Sequence, residues 1–420
     1  MRVIKRIVIL LLLPAAAFGA GPRLQVLHNF TGGGDGSSPS TALVADSSGN
    51  LYGTTGEGGS TNGCFGGIGC GVVFELSPPK RIGGSWKETI LYRFTGGSDG
   101  AGPHSSLVFD TAGNLYGTTT LGGDLGNQLC AGFYNSGCGV VFELSPQGDG
   151  WSETTLYTFE GAGDGAFPLG SLVFDLSGNL YGTASLGGGG GECITGELLG
   201  CGTIFELSPN GSGVWTEATI YQFQGLPDGA IPKAGMVLDR RGNLYGTTVA
   251  GGAQGYGTVF ELSPPLQQGG TWDEGAIYSF PASTPEPPGV MLDSQGNLYG
   301  TSDSGSGSVF ELTPSAGAWI ENTIYSFKGQ KNAGPTALVM DKSGNLYGAL
   351  GGPQCGALYR LENENDLWSE EQLDFVKGNE GPCGPGGALI FGKSEALYGT
   401  SVRGGTCSGY GCGTVFGILP

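Results

Sequence analysis

Four Asp-Gly pairs recur along the chain, Asp35-Gly36, Asp99-Gly100, Asp164-Gly165 and Asp228-Gly229, each with Pro three residues beyond the Gly. Carboxylates brought together with backbone carbonyls are ligands for Ca²⁺ or for a cationic group. No single loop carries a multi-ligand calcium pattern, and Asp-Gly is also ordinary turn chemistry. No cofactor is therefore expected, with Ca²⁺ the ion that such oxygen ligands would suit if the ring does hold one. The chain has only two histidines, His28 and His104, and neither lies beside a nucleophile signature such as Gly-x-Ser-x-Gly. His104 stands out because imidazole titrates near neutrality. No catalytic residue is assigned; the candidate binding residues are Asp35, Asp99, His104, Asp164 and Asp228.

Ten cysteines form a second constellation. Cys70, Cys138, Cys201, Cys355 and Cys412 each precede Gly at one recurring place. Cys64, Cys130, Cys193 and Cys407 lie a few residues upstream of four of them, and Cys383 is left for Cys355. An even count with no nearby His favours five disulfides over zinc.

The element that must position these groups is a repeat. Asp-x-x-Gly-Asn-Leu-Tyr-Gly reads most clearly at Asp110–Gly117, and its Tyr recurs as Tyr52, Tyr116, Tyr181, Tyr245, Tyr299, Tyr347 and Tyr398. A fixed period of this size marks a repeat architecture. Each unit holds four strand-like runs, in unit 2 Ser106–Asp110, Asn114–Thr119, Gly139–Leu144 and Trp151–Phe159. These are β-branched and aromatic segments bounded by Gly, Pro, Ser and Asp. Asp at the first position and Gly at the fourth predict a type I turn between the first two runs. That gives Asp46, Asp110, Asp175, Asp239, Asp293 and Asp341 a structural task. Seven four-stranded units predict an all-β, seven-bladed β-propeller. The chain ends on a third strand at Thr414–Ile418, and Leu24–Phe30 matches the fourth-strand pattern, so the N-terminal strand should complete the last blade and close the ring. The blades are expected at about 39–94, 103–159, 168–223, 232–280, 287–327, 335–375 and 385–419 plus 24–30, forming one domain over 21–420. Small pairs such as Ser105-Ser106, Gly170-Ser171 and Gly386-Gly387 begin the innermost strands, where seven strands crowd one axis. Trp86, Trp151, Trp215, Trp272, Trp319 and Trp368 open the fourth strands and are expected to pack blade on blade, the other use being to stack on sugars. The recurrent Glu of Phe-Glu-Leu becomes Arg360 and Gly417 in the last two units, which suits hydrogen bonding and not a ring of metal ligands.

Residues 1–20 read as a signal peptide, with Arg2, Lys5 and Arg6 ahead of an apolar run too short to span a bilayer. Taking those three from the chain's 18 basic residues leaves 15 against 37 acidic, a net charge of −22. Such a chain lacks the basic footprint that nucleic acid or an anionic membrane requires. The 86 Gly and 23 Pro would suggest disorder without a period, and here they are turn chemistry.

The seven Gly-Asn-Leu-Tyr-Gly units with Val-Phe-Glu-Leu-Ser-Pro resemble the GloVer-type tandem repeat of exported bacterial proteins, over nearly all of 24–419. The resemblance implies export and a repeat fold, and no biochemical activity. More distantly, Asp-x-x-Gly-Asn-Leu-Tyr is similar to NHL-like propeller blades and to gluconolactonase-like propellers. The latter resemblance implies a channel metal held by acidic and amide side chains, a set this sequence does not display. The expectation is a periplasmic or secreted monomer acting as a non-enzymatic binding or interaction module for a protein, peptide or glycan. The alternatives are a hydrolase or lyase at the channel mouth and a structural envelope component.

Overall fold

The computed structural model describes residues 23–60, 64, 67–81, 83–131, 137–189, 193–195, 198–211, 213–267, 269–281, 288–303, 306–328, 334–351, 355–364, 367–375, 381–407 and 411–419. The signal segment at 1–20 lies outside them. Seven antiparallel sheets, each built on a four-stranded meander, follow one another along the chain. Blade 1 comprises Val44–Ala45, Leu51–Thr55, Val72–Ser77 and Lys87–Arg93, and blade 2 Val108–Phe109, Leu115–Thr119, Val140–Gln147 and Gly150–Thr158. In blade 3 the fourth strand is Trp215–Gln222, in blade 4 Asp273–Ser279, in blade 5 Ala318–Ser326 and in blade 6 Leu367–Phe375. Blade 7 is Ile390–Phe391, Leu397–Gly404 and Thr414–Leu419, completed by the N-terminal strand Arg23–Asn29. The protein is thus a seven-bladed propeller whose ring is closed by its first strand. No helix among the described residues is long and apolar enough to cross a membrane.

The repeat motif explains each blade locally. Asp46 Oδ1 accepts from the backbone N–H of Ser48 (2.7 Å) and Asn50 (2.9 Å), and Oδ2 accepts from Asn50 Nδ2 (2.8 Å) and Tyr52 Oη (3.2 Å). The same cage surrounds Asp110, Asp175, Asp239, Asp293 and Asp341. Gly49 N donates to the Asp46 carbonyl (3.1 Å), closing the turn. Blade 7 replaces this turn with a short 3₁₀ segment, Lys393–Glu395. The Gly of Leu-Tyr-Gly-Thr is required by packing: a Cβ on Gly53 would lie 2.7 Å from Phe74 Cζ, on the third strand of its own blade.

Blades are joined by side chains that the motif supplies. Phe94 at the end of blade 1 meets Phe142 of blade 2 edge to face at 5.1 Å, and Phe30 meets Phe74 across the closing seam at 5.2 Å. Both partners of each pair are fully buried. Trp151 packs on Tyr52, Trp215 on Tyr116, Trp272 on Tyr181, Trp319 on Tyr245 and Trp86 on Tyr398, each reaching the preceding blade. Around the axis, Thr54 Oγ1 donates to the Ser105 carbonyl (3.2 Å), and Thr400 Oγ1 to the Thr41 carbonyl (2.7 Å), again bridging successive blades.

Candidate functional site

In a meander propeller, the loops between second and third strands share a face with the connections that lead into each next blade. Here the two kinds of loop are hydrogen-bonded together. Gly59 N donates to the Gly33 carbonyl (2.8 Å), Gly123 N to Gly97 (2.9 Å) and Gly188 N to Ala162 (2.7 Å). Disulfides pin the same loops: Cys64–Cys70, Cys130–Cys138, Cys193–Cys201 and Cys407–Cys412 within one loop each, and Cys355–Cys383 from blade 6 to the segment entering blade 7. Five disulfides mark a protein that matures in an oxidising compartment.

The four Asp-Gly aspartates do not converge on one point of this face; each is held in its own loop. Asp99 Oδ2 accepts from Thr95 N (2.8 Å) and Tyr92 Oη (3.0 Å), and Oδ1 from Thr95 Oγ1 (2.6 Å). Asp164 and Asp228 repeat the pattern with Tyr157 and Tyr221, both 3.0 Å away. The tyrosine also faces a Glu on the next blade. Tyr221 Oη lies 3.2 Å from Glu274, and Tyr325 donates to Glu370 at 2.8 Å. Burial, ahead of the neighbouring Asp99 charge, pushes Glu153 up to about 7; burial and Asp228 do the same for Glu274. The junctions after blades 1, 2 and 3 are therefore Tyr-Asp-Glu clusters short of positive charge.

At the closing junction the cluster changes. His28 stands where the other blades carry Tyr92, Tyr157 and Tyr221, seven residues before Asp35. Its Nε2 is 3.9 Å from Asp35 Oδ2 and 3.3 Å from Glu88 Oε1. Among the described residues, this is the one group of three His, Cys, Asp or Glu side chains placed to share a metal ion. Sequence reading singled out Asp35 but missed Glu88, and left His28 off the candidate residues. The available signal was the alignment of His28-Asn-Phe30 with Tyr92-Arg-Phe94.

His104 sits at the foot of the innermost strand of blade 2, its Nδ1 3.3 Å from Ser40 Oγ of blade 1. The ring keeps an edge open to solvent, yet it is pressed against Gly56, where any Cβ would collide with it. Burial of the rest of the ring lowers its pKa, against the upward pull of Glu57. The opposite face carries a cleft of about 800 Å³ between blades 4 and 5, lined by Asp239, Arg241, Tyr245, Asp293 and Trp319. The Glu of Phe-Glu-Leu meets the repeat tyrosine there: Tyr245 Oη is 3.0 Å from Glu261, which also accepts from Trp319 Nε1 (3.4 Å). In blade 6 Arg360 takes the Glu seat and pairs with Glu362 and Glu371.

Residues 17–195 and 191–416 match the Gloeobacter/Verrucomicrobia repeat. The chain belongs to that family. No curated protein matches its sequence. Solved structures to which this repeat protein is similar include a putative 6-phosphogluconolactonase from Bacteroides fragilis, at 14% identity, TM-score 0.53, and 81% and 86% of the two chains covered. A second, from Bacteroides uniformis, gives 12%, 0.51, 83% and 88%. A Lactobacillus plantarum protein gives 11%, 0.52, 78% and 84%. At these identities the likeness shows the propeller fold alone.

Proposed function

We propose that this Gloeobacter/Verrucomicrobia repeat protein is an exported, non-enzymatic binding module, periplasmic or secreted and acting as a monomer. Its ligand, a protein, peptide or glycan, docks on the disulfide-pinned face. The observation that carries this reading is where the cross-links fall. The ring is already closed by its first strand, so bridges in short surface loops are not what closes it. All five disulfides nonetheless tie down the loops of one face, and the seven turn sides of the opposite face carry none. Rigid loops reduce the ordering cost of association. The test is binding of the mature chain to a panel of polysaccharide fragments and to envelope extracts. It is run with and without Ca²⁺, beside a variant with Cys64, Cys70, Cys130, Cys138, Cys193 and Cys201 changed to Ser. Saturable binding that the variant loses while still folded supports the reading. Binding that survives the variant unchanged, or no binding across the panel, sinks it.

One observation favours a second reading, a hydrolase or lyase near the axis. Ser40 and His104 pair a hydroxyl with an imidazole of lowered pKa, the arrangement a general base and its proton donor would need. Turnover of ester and polysaccharide substrates that disappears in His104→Ala would support it, and turnover unchanged in that variant would dismiss it.

A further inference from the structure

We propose that His28, Asp35 and Glu88 form a binding site for one divalent transition-metal ion, with Zn²⁺ as the ion that fits best, at the seam where the propeller ring closes. The donor chemistry is one imidazole and two carboxylates. Zn²⁺ takes such ligands at about 2.0–2.2 Å in a tetrahedron, so neighbouring donor atoms should stand about 3.3 Å apart. His28 Nε2 and Glu88 Oε1 are 3.3 Å apart already, and Asp35 Oδ2 is 3.9 Å from the same nitrogen. All three donor atoms lie within 4.8 Å of one another.

Two further observations point to a ligand. His28 Nε2 and Glu88 Oε1 are sealed from solvent, and neither has an aligned hydrogen-bond partner despite facing the other. A buried polar atom left in that state is unfavourable unless something else engages it. The comparison inside the chain is equally direct. At three equivalent junctions a Tyr hydroxyl donates to one oxygen of the Asp, although Asp164 Oδ1 and Glu274 Oε1 are also left without a partner there; what only the closing seam has, among the described residues, is an orphaned nitrogen facing an orphaned carboxylate oxygen. An imidazole at this seat, in the tautomer protonated on Nδ1, can turn a lone pair toward the carboxylates where the repeat offers only a proton. Two carboxyls crowded against one imidazole, with their donor atoms within 4.8 Å of one another, are a set whose mutual repulsion a cation would offset. Asp35 is also oriented from behind, accepting from Thr31 N (2.8 Å) and Thr31 Oγ1 (2.6 Å), as the outer partners of metal ligands do. Arg93 is the competing cation, but its Nε is committed to the Gly34 carbonyl at 3.0 Å. The three side chains keep 16–19% exposure, enough for an ion to enter from solution.

Because His28 and Asp35 belong to the N-terminal segment and Glu88 to blade 1, the ion would bind only the closed ring and so stabilise it. The experiment is Zn²⁺ titration of the metal-stripped mature chain by calorimetry and by thermal unfolding, alongside His28→Tyr and Glu88→Gln. His28→Tyr installs the residue the other blades use, so its fold should be kept; Glu88→Gln serves should it not be. The expected result is one site per chain, with a rise in Tm. Either substitution should weaken affinity by at least about 10–100-fold, the loss seen when even an outer partner of a ligand is removed. Absence of saturable Zn²⁺ binding by the wild-type chain, or unchanged binding by both variants, overturns the proposal. So does a Ca²⁺ response equal to that of Zn²⁺, since Ca²⁺ has no use for the nitrogen ligand.

Discussion

The disulfide from Cys355 to Cys383 should hold the fold more strongly than the four local ones, and the size of the difference can be worked out. It closes 28 residues, whereas Cys64–Cys70 closes 6 and Cys193–Cys201 closes 8. Loop-closure entropy in the unfolded chain then gives about 3.6 kcal/mol for the long bridge and about 2–2.5 kcal/mol for the short ones at 25 °C. A propeller of roughly 400 residues unfolds with an entropy near 0.8 kcal/mol/K, so the losses become about 4 °C and about 3 °C in Tm. The long bridge also ties blade 6 to the segment that pairs with the second strand of blade 7, through Pro382↔Gly404. Its removal should therefore loosen a blade junction, and removal of a local bridge should not. Cys355 has φ +74°, and Ala at that position keeps the same backbone strain, so Cys355→Ala/Cys383→Ala reports the cross-link itself. The assay is differential scanning calorimetry of this pair beside Cys64→Ala/Cys70→Ala. A Tm loss for the long bridge no larger than for the short one would refute the argument.

Three further outcomes are expected. Glu153 and Glu274 are protonated more readily folded, near 7, than at their ordinary 4.5, so their contribution is complete below pH 4.5 and is lost as pH rises through 7; Tm at pH 5.5 should exceed that at pH 8, and a Tm that climbs over this range contradicts the assignment. Tyr221→Phe removes the donor shared by Asp228 and Glu274 and should destabilise by about 1–3 kcal/mol in denaturant unfolding, while a change below the error of the midpoint would show the cluster is wet. Thr400→Val strands the buried Thr41 carbonyl at the seam and should lower stability by about 1–2 kcal/mol, with hydrogen exchange rising first in Arg23–Asn29; uniform exchange would argue that the seam is not the weak junction.

The fold was legible because its determinants are local and repeated. Asp46, Asn50 and Tyr52 fall within seven residues of one another, and their bonds can be read from the motif. Ring closure followed from a count of strands, and the cysteine pairing from their place in the repeat. The partners across blade junctions were not legible. Glu274 meets Tyr221 from 53 residues away, and nothing in the spacing of either residue announces the contact. The same holds for Glu88 and for the Thr400 hydroxyl, whose acceptor lies 359 residues earlier in the chain. The Asp-Gly aspartates were read as a ring on one face, and the fold places them on that face, each committed to its own loop.

A repeat protein supplies its own control for a substitution. Where the same backbone seat recurs with Tyr at blades 1, 2 and 3, packing and register are held constant, and the change to His28 isolates the side-chain chemistry. Tyr and His both fill the seat and both contact the buried Phe beside them, His28 on Phe30 at 4.7 Å and Tyr92 on Phe94 at 5.1 Å. Shape therefore gives no reason for the exchange. What differs is that a phenol donates one proton to the facing carboxylates, whereas a neutral imidazole can present them with an unshared pair. Placed against Glu88 at the junction between the two ends of the ring, that difference turns a hydrogen-bonded contact into a place for a cation.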